Sequence, residues 1–326
     1  MQNIFDIKTE FDFKTVCLET FRYQYENVDV YKKFVNYLKI DPSSIKEVDD
    51  IPFLPIEMFK NHLVLDKNST AENYFQSSGT TQMNRSKHYI ADFSLYEESI
   101  YKSFEEFIGK PEDYTFLGLL PNYSENMHSS LIYMVDFLMK KSDKPDSGYF
   151  LYNHQELFDL LQTLTDKKVI LFGVSFALLD FLDTLESKNL SISQSENLTI
   201  IETGGMKGRK EEMTKDELLK IFKAGFNSDK IHSEYSMTEL LSQAYSLGEN
   251  IYKSPNWMRI LIRNTEDPFS YVEEGRTGAI NIIDLANKHS CSFIATQDLG
   301  RIENDEFQVL GRIDHSDIRG CSLLVS

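Results

Sequence analysis

Four hydroxyls around one glycine, Ser77-Ser78-Gly79-Thr80-Thr81, form the first grouping in the chain that could do chemistry. Short donors on a backbone free to take positive φ can cradle phosphate oxygens. The same residues also make ordinary surface turns. No Gly-x-x-x-x-Gly-Lys-Ser/Thr loop occurs anywhere. The second grouping, Tyr235-Ser236-Met237-Thr238-Glu239, offers a ring to stack on a base, a hydroxyl for a phosphate and a carboxylate for a hard cation. Its plainer reading is a helix start, with Ser236 or Thr238 as N-cap and Glu239 in the first turn. In the third, Thr296-Gln297-Asp298-Leu299-Gly300-Arg301 with Gly311-Arg312 downstream, Asp298 could accept from two ribose hydroxyls or stand in a solvated turn.

Cations and nucleophiles lie near these groupings. Lys87 and His88 follow the hydroxyl cluster, and Met206-Lys207-Gly208-Arg209-Lys210 follows Gly204-Gly205 at a predicted strand end. That basic run either reaches the strand ends or is a solvated turn. His88 and His128 could meet a substrate carboxylate or be structural. Cys321, with Arg319 two residues before it, could be a nucleophilic thiolate or a tail cysteine with no role. It lies nine residues beyond Arg312, and an extended chain of that length reaches on the order of 30 Å. Cys17, in an apolar helical pattern, and Cys291, beside a strand, read as core thiols.

The elements that must position these residues follow from the apolar pattern. Phe11–Leu38 has helical spacing, and Ile51–Ile56 is a Pro-punctuated extended segment. Tyr74–Gln76 predicts a short strand leading into the hydroxyl cluster. Helices are expected over Asp92–Ile108, over Ser130–Lys141 and, following the strand that ends at Val174, through Leu185. Buried strands are expected at Thr115–Leu120, Val169–Val174 and Leu198–Glu202. Alternating strands and helices predict an α/β fold with a mostly parallel sheet, which places ligands at strand ends. The expected organisation is a helical segment over 1–50 packed on the main body, an α/β core over 51–278, and a small β-rich subdomain over 279–326.

Composition narrows the functions. The 326 residues are 41% hydrophobic and 26% charged, as in ordinary soluble proteins, and the net charge of −17 opposes nucleic-acid binding. The N-terminus lacks a basic start followed by an apolar run, and Val169–Leu182 is too short to span a bilayer. Three cysteines without metal spacing point to a reducing, cytoplasmic setting.

The order of the groupings, spread over about 235 residues, resembles the successive core motifs of the adenylate-forming (ANL) enzyme superfamily. More specifically, the chain resembles the LuxE-type acyl-protein synthetase family. The carrying segments are 52–60, 75–81 with Ser86 and His88, 120–123, 129–134, 171–179, 202–210 and the end from Gly311 to Cys321. The resemblance implies the ANL large-domain fold without its swinging C-terminal lobe. It implies activation of a fatty or other apolar carboxylic acid by Mg-ATP to acyl-AMP, then transfer to Cys321 for delivery to an acyl-CoA-reductase-like partner. Coenzyme A or a carrier-protein thiol as acceptor, and a non-catalytic nucleotide-binding subunit, are the competing readings. By the same resemblance, Ser77, Ser78, Gly79, Thr80 and Thr81 would clamp phosphates beside Gly204 and Gly205, and Tyr235 would stack on adenine. Thr238 would bond the α-phosphate, Glu239 would bind magnesium, and Asp298 and Arg312 would hold the ribose. Gln82 departs from the usual glycine, and Lys87, Lys207 and Arg209 are the candidates for the missing lobe's cation.

Overall fold

Thr9 and Asp12 exchange side-chain and backbone hydrogen bonds, a capping box that opens α1 (Glu10–Asn27). Its inward stripe, Phe13, Val16, Cys17, Phe21 and Gln24, is buried at helical spacing. Thr20 and Gln24 are the polar exceptions on this face. The protein is seen here in a computed structural model that describes residues 3–71, 73–78, 85–193, 196–204 and 213–313. After α2 (Asp29–Tyr37), the Pro-punctuated segment gives β1 (Leu54–Pro55) and α3 (Met58–Asn61). β2 (Asn73–Gln76) and β3 (Lys87–Ile90) then pair antiparallel as a separate two-stranded sheet.

The next stretch alternates α4 (Phe93–Phe107), β4 (Thr115–Leu119), α5 (Ser130–Ser142), β5 (Gly148–Tyr149), α6 (His154–Thr163) and β6 (Val169–Val174). It continues through α7 (Ser175–Ser187), β7 (Leu198–Thr203), α8 (Lys215–Phe226) and β8 (Ile231–Tyr235). The five strands are parallel, in the order β5-β4-β6-β7-β8. The near-continuous apolar sequences of β4 and β6 follow from cover on both faces. Leu171 and Ile200 pack with Leu178, Phe181, Phe222 and Phe226 on one side. Ile170, Phe172 and Ile201 join Phe104, Val135 and Leu138 on the other.

Beyond β8 the pairing becomes antiparallel through β9 (Ala244–Ser246), β10 (Tyr252–Lys253), β11 (Met258–Arg263), β12 (Gly278–Asp284), β13 (Phe293–Glu303) and β14 (Glu306–Arg312). These strands continue the same sheet in the order β11-β12-β13-β14-β10-β9-β8, and β1 pairs parallel with β13, making twelve strands. β8 therefore has a parallel neighbour on one side and an antiparallel one on the other. Among the described residues no helix is long and apolar enough to cross a membrane.

Candidate active site

The strand ends of the β2–β3 pair are tied by two serines. The Ser77 amide donates to the Ser86 carbonyl (3.1 Å), and the Ser86 amide donates to Ser77 Oγ (3.0 Å). The Ser86 hydroxyl in turn donates to the Glu239 carboxylate. The first grouping is thereby joined to the second across more than 150 residues of sequence. Ser78 is exposed at this neck.

No helix starts at Ser236–Glu239. The chain runs from there to Gln243 as turns and irregular backbone. The reason is that other elements take its backbone groups. His88 Nδ1 lies 2.9 Å from the Thr238 carbonyl, and Asn287 Nδ2 donates to the Glu239 carbonyl at 2.8 Å. Asp284 Oδ2 accepts from the Leu241 and Ser242 amides (2.7 and 3.1 Å), and its Oδ1 accepts from Ser242 Oγ (2.6 Å). The Trp257 indole N–H reaches Ser242 Oγ and Ser99 Oγ (3.0 and 3.1 Å). A segment whose buried polar groups are satisfied in this way needs no helical ladder.

At the sheet end of this loop, the Tyr235 hydroxyl donates to Asp298 Oδ2 (2.8 Å) and Arg312 Nε to Asp298 Oδ1 (3.1 Å). The register explains the second contact, since Asp298 on β13 lies opposite Arg312 on β14. Gly311, at φ +145°, allows the irregular pairing just before it. The Tyr235 ring is buried edge-on against Tyr252 and Phe307. Among the described residues Asp298 uses one site on each oxygen, and an ionised carboxylate has about four.

Glu239 is 4% exposed. Burial pushes its carboxyl above the ordinary range, against the Ser86 hydrogen bond and the positive charges of Arg312 and Lys60. A buried carboxylate bonded to Ser86 at the Ser77–Ser86 neck fits a magnesium ion that arrives on phosphates, because that ion commonly takes only one or two protein carboxylates. Among the described residues, no group of three or more His, Cys, Asp and Glu could hold a metal by itself.

The two histidines differ. His88 is wholly buried, edge-on to Phe59, and burial lowers its pKa to about 4, so the ring is neutral and Nδ1 donates to Thr238. His128 stacks on Tyr74 at 4.2 Å, and the Lys87 ammonium sits 4.9 Å from the centre of the Tyr74 ring. At the end of β7, Gly204 has φ +75°, with open space where a Cβ would stand. The Gly204 carbonyl accepts from Ser175 Oγ, which also donates to Glu202 (2.8 Å), and Glu202 pairs with Lys215. Cys17 and Cys291 are core thiols, both wholly buried and pushed up to about 12. Gly79, Thr80, Thr81, Gln82, Gly205, Lys207, Arg209 and Cys321 lie outside the described residues.

The structure thus brings together Ser77, Ser86, Tyr235, Glu239, Asp298 and Arg312. The sequence reading missed Asp284, Asn287 and Gln24, which support the loop, and Lys60, which faces Glu239 electrostatically. The usable signal was Gln24, an amide on a mostly apolar helical stripe.

Solved structures with this architecture include an open conformation of 2-hydroxyisobutyryl-CoA ligase in complex with 2-HIB-AMP and CoA. It aligns over 94% of this chain and 70% of its own, with a TM-score of 0.70 at 13% identity. ATP-bound MatB from Rhodopseudomonas palustris aligns over 83% of this chain and 53% of its own, with a TM-score of 0.57 at 15% identity. At such identities the likeness shows the fold, which is that of these adenylate-forming ligases. The long-chain-fatty-acid--luciferin-component ligase of Photorhabdus luminescens is 35% identical over 68 residues, which is 21% of this chain. The match spans only 58% of that relative's length. Over residues 6–91 and 126–326 the chain matches the profile described as "Acyl-protein synthetase, LuxE", and it belongs to that family.

Proposed function

We propose that this protein activates a fatty acid with Mg-ATP and then takes the acyl group onto Cys321. The observation that carries the reading is the meeting of the three groupings at one place: the Ser77–Ser86 neck, Glu239, and the Tyr235–Asp298–Arg312 cluster. The printed name of the Photorhabdus luminescens relative supports a long-chain acid as substrate.

In the first step a carboxylate oxygen of the acid attacks the α-phosphorus of ATP. The bond to pyrophosphate breaks, and a mixed anhydride, acyl-AMP, forms. The hydroxyls and amides of 77–81 hold phosphate oxygens, and Thr238 bonds the α-phosphate. The free lone pairs of Asp298 take ribose hydroxyls, and Tyr235 and Arg312 fix the direction of that carboxylate. Glu239 would hold magnesium, which when bound supplies positive charge to the phosphates. In the second step the Cys321 thiolate attacks the acyl carbonyl, AMP leaves, and a thioester forms. Cys17 and Cys291 are poor acceptors because both are wholly buried and their thiols stay protonated. That supports Cys321, which begins nine residues from Arg312. The thioester then passes to a reductase-type protein partner.

Mass spectrometry of the protein incubated with ATP, magnesium and a panel of fatty acids tests both steps. A hydroxylamine-labile acyl adduct on Cys321 is expected. Cys321→Ala should lose the adduct yet keep acid-dependent exchange of pyrophosphate into ATP. Glu239→Ala should lose both. Full acylation of added coenzyme A or a carrier protein by Cys321→Ala would assign the acceptor elsewhere, and absence of exchange with every acid would overturn the adenylation step.

A further inference from the structure

Gln24 reaches from the N-terminal helix into the turn that follows β12. Its Nε2 lies 2.9 Å from the Asn287 carbonyl, 3.1 Å from the Lys288 carbonyl and 3.1 Å from Ser292 Oγ, while its Oε1 accepts from the Ser292 amide at 2.9 Å. The turn is closed on itself by Asn287 N–H to Asp284 O (3.0 Å), Ser290 N–H to Asn287 O (3.1 Å) and Asp284 N–H to Ser292 O (2.8 Å). From this platform Asn287 Nδ2 donates to the Glu239 carbonyl, and Asp284 holds the two amides beyond it. Gln24, Asp284 and Asn287 are all wholly buried. Apolar residues of the same volume would fill this space without the need to satisfy so many polar groups. What the polar residues add is direction.

We propose that Gln24 and Asn287 are positioning residues for Glu239: the amide on α1 fixes the 284–292 turn, the turn fixes the Glu239 backbone, and the N-terminal helix thereby sets how strongly the site takes magnesium-bearing ATP. This rests on the reading of Glu239 given above. A ligand to a metal tolerates only about 0.5 Å of misplacement, and a backbone released from its donor loses one of the contacts that hold it within that range. Groups that orient a metal ligand typically change metal affinity about 10–100-fold when removed.

The test is calorimetric titration of ATP into the full chain, with magnesium and with chelator. Magnesium should strengthen ATP binding in the unaltered protein. Asn287→Ala and Gln24→Met should each lose about tenfold of that gain, with binding in chelator and the far-UV spectrum unchanged. Asn287→Ser, which keeps a hydroxyl donor, should recover part of it. The double variant should be no worse than Asn287→Ala alone, because Gln24 acts through the turn. Should Asn287→Ala not fold, Gln24→Met, which preserves volume, carries the same test. Folded variants with an undiminished magnesium gain, losses that multiply independently, or an unaltered protein whose ATP binding ignores magnesium would each overturn the proposal. Pyrophosphate exchange measured alongside keeps the two readings apart: its absence, with the magnesium-dependent pattern intact, removes the adenylation step and leaves the positioning role in place.

Discussion

The core beneath α6, α7 and α8 and the layer between α1 and the Thr238–Glu239 loop are equally buried but differently made. The first is an apolar cluster of Leu, Ile, Val, Phe and Ala around Leu171, Phe181, Phe222 and Phe226. The second interleaves Gln24, His88, Glu239, Ser242, Asp284 and Asn287 with its apolar neighbours. Apolar contact stabilises without direction, whereas hydrogen bonds fix atoms in place at a desolvation cost. The first region therefore contributes stability alone, while the second adds fixed geometry to its own apolar packing.

Phe222→Ala should break the first region hardest. Loss of a fully buried ring costs about 3–5 kcal/mol, read as a lower denaturant midpoint, while the KM for ATP of the folded enzyme stays unchanged. A shifted KM would mean that the apolar core also tunes the site.

The next effect depends on pH. The native His88 ring resists protonation down to about pH 4, while an unfolded imidazole takes a proton near 6.5. Between those values the unfolded state binds more protons, so His88 contributes a loss of stability as pH falls, worth about 3 kcal/mol in full. Glu234, Glu239 and Asp284, whose pKa values burial raises, act in the opposite sense: the stability they give at low pH is lost as pH rises. Comparing His88→Asn with the parent isolates the imidazole, since Asn can still donate to Thr238. Melting curves at pH 7 and pH 5 should show a smaller acid penalty for the variant, and equal penalties would contradict the assignment.

Asp298→Asn should raise the KM for ATP about tenfold or more, the size of one charge-assisted hydrogen bond, with a nearly unchanged melting temperature. Tyr235→Phe, which removes one neutral donor to the same carboxylate, should cost about 0.5–1.5 kcal/mol, a few-fold in KM. If the tyrosine change proved the larger, Asp298 would not be the centre of the cluster.

The scaffold was largely legible in the sequence. Thr115–Leu119, Val169–Val174 and Leu198–Thr203 are short apolar runs bounded by turn residues, and the 3.6-residue pattern marked α4 and α5. Tyr235, Glu239 and Asp298 stood out because their groupings follow one another in a recognisable order, although Asp298 lies within β13 and not in a turn. The helix start that is the plainer reading of the loop after Tyr235 does not form, although Ser, Thr and Glu are the residues that cap helices. What decides its shape is the set of partners brought by His88, Asp284 and Asn287, far away in sequence. Asn281-Ile282-Ile283-Asp284-Leu285-Ala286-Asn287 reads locally as a strand running into a polar turn, and only the fold places that turn under Glu239. Gln24 shows in the sequence as an amide on a mostly apolar helical stripe, but its partners at 287–292 do not.

Trp257 is the chain's single tryptophan, and its indole is bonded to Ser242, the residue that Asp284 also grips. The molecule therefore carries one indole fluorophore, which longer-wavelength excitation separates from its 17 tyrosines, sheltered from solvent and wired to the segment that bears Thr238 and Glu239. Changes in its emission as nucleotide or magnesium is added can be read as movement of that segment, without an attached dye.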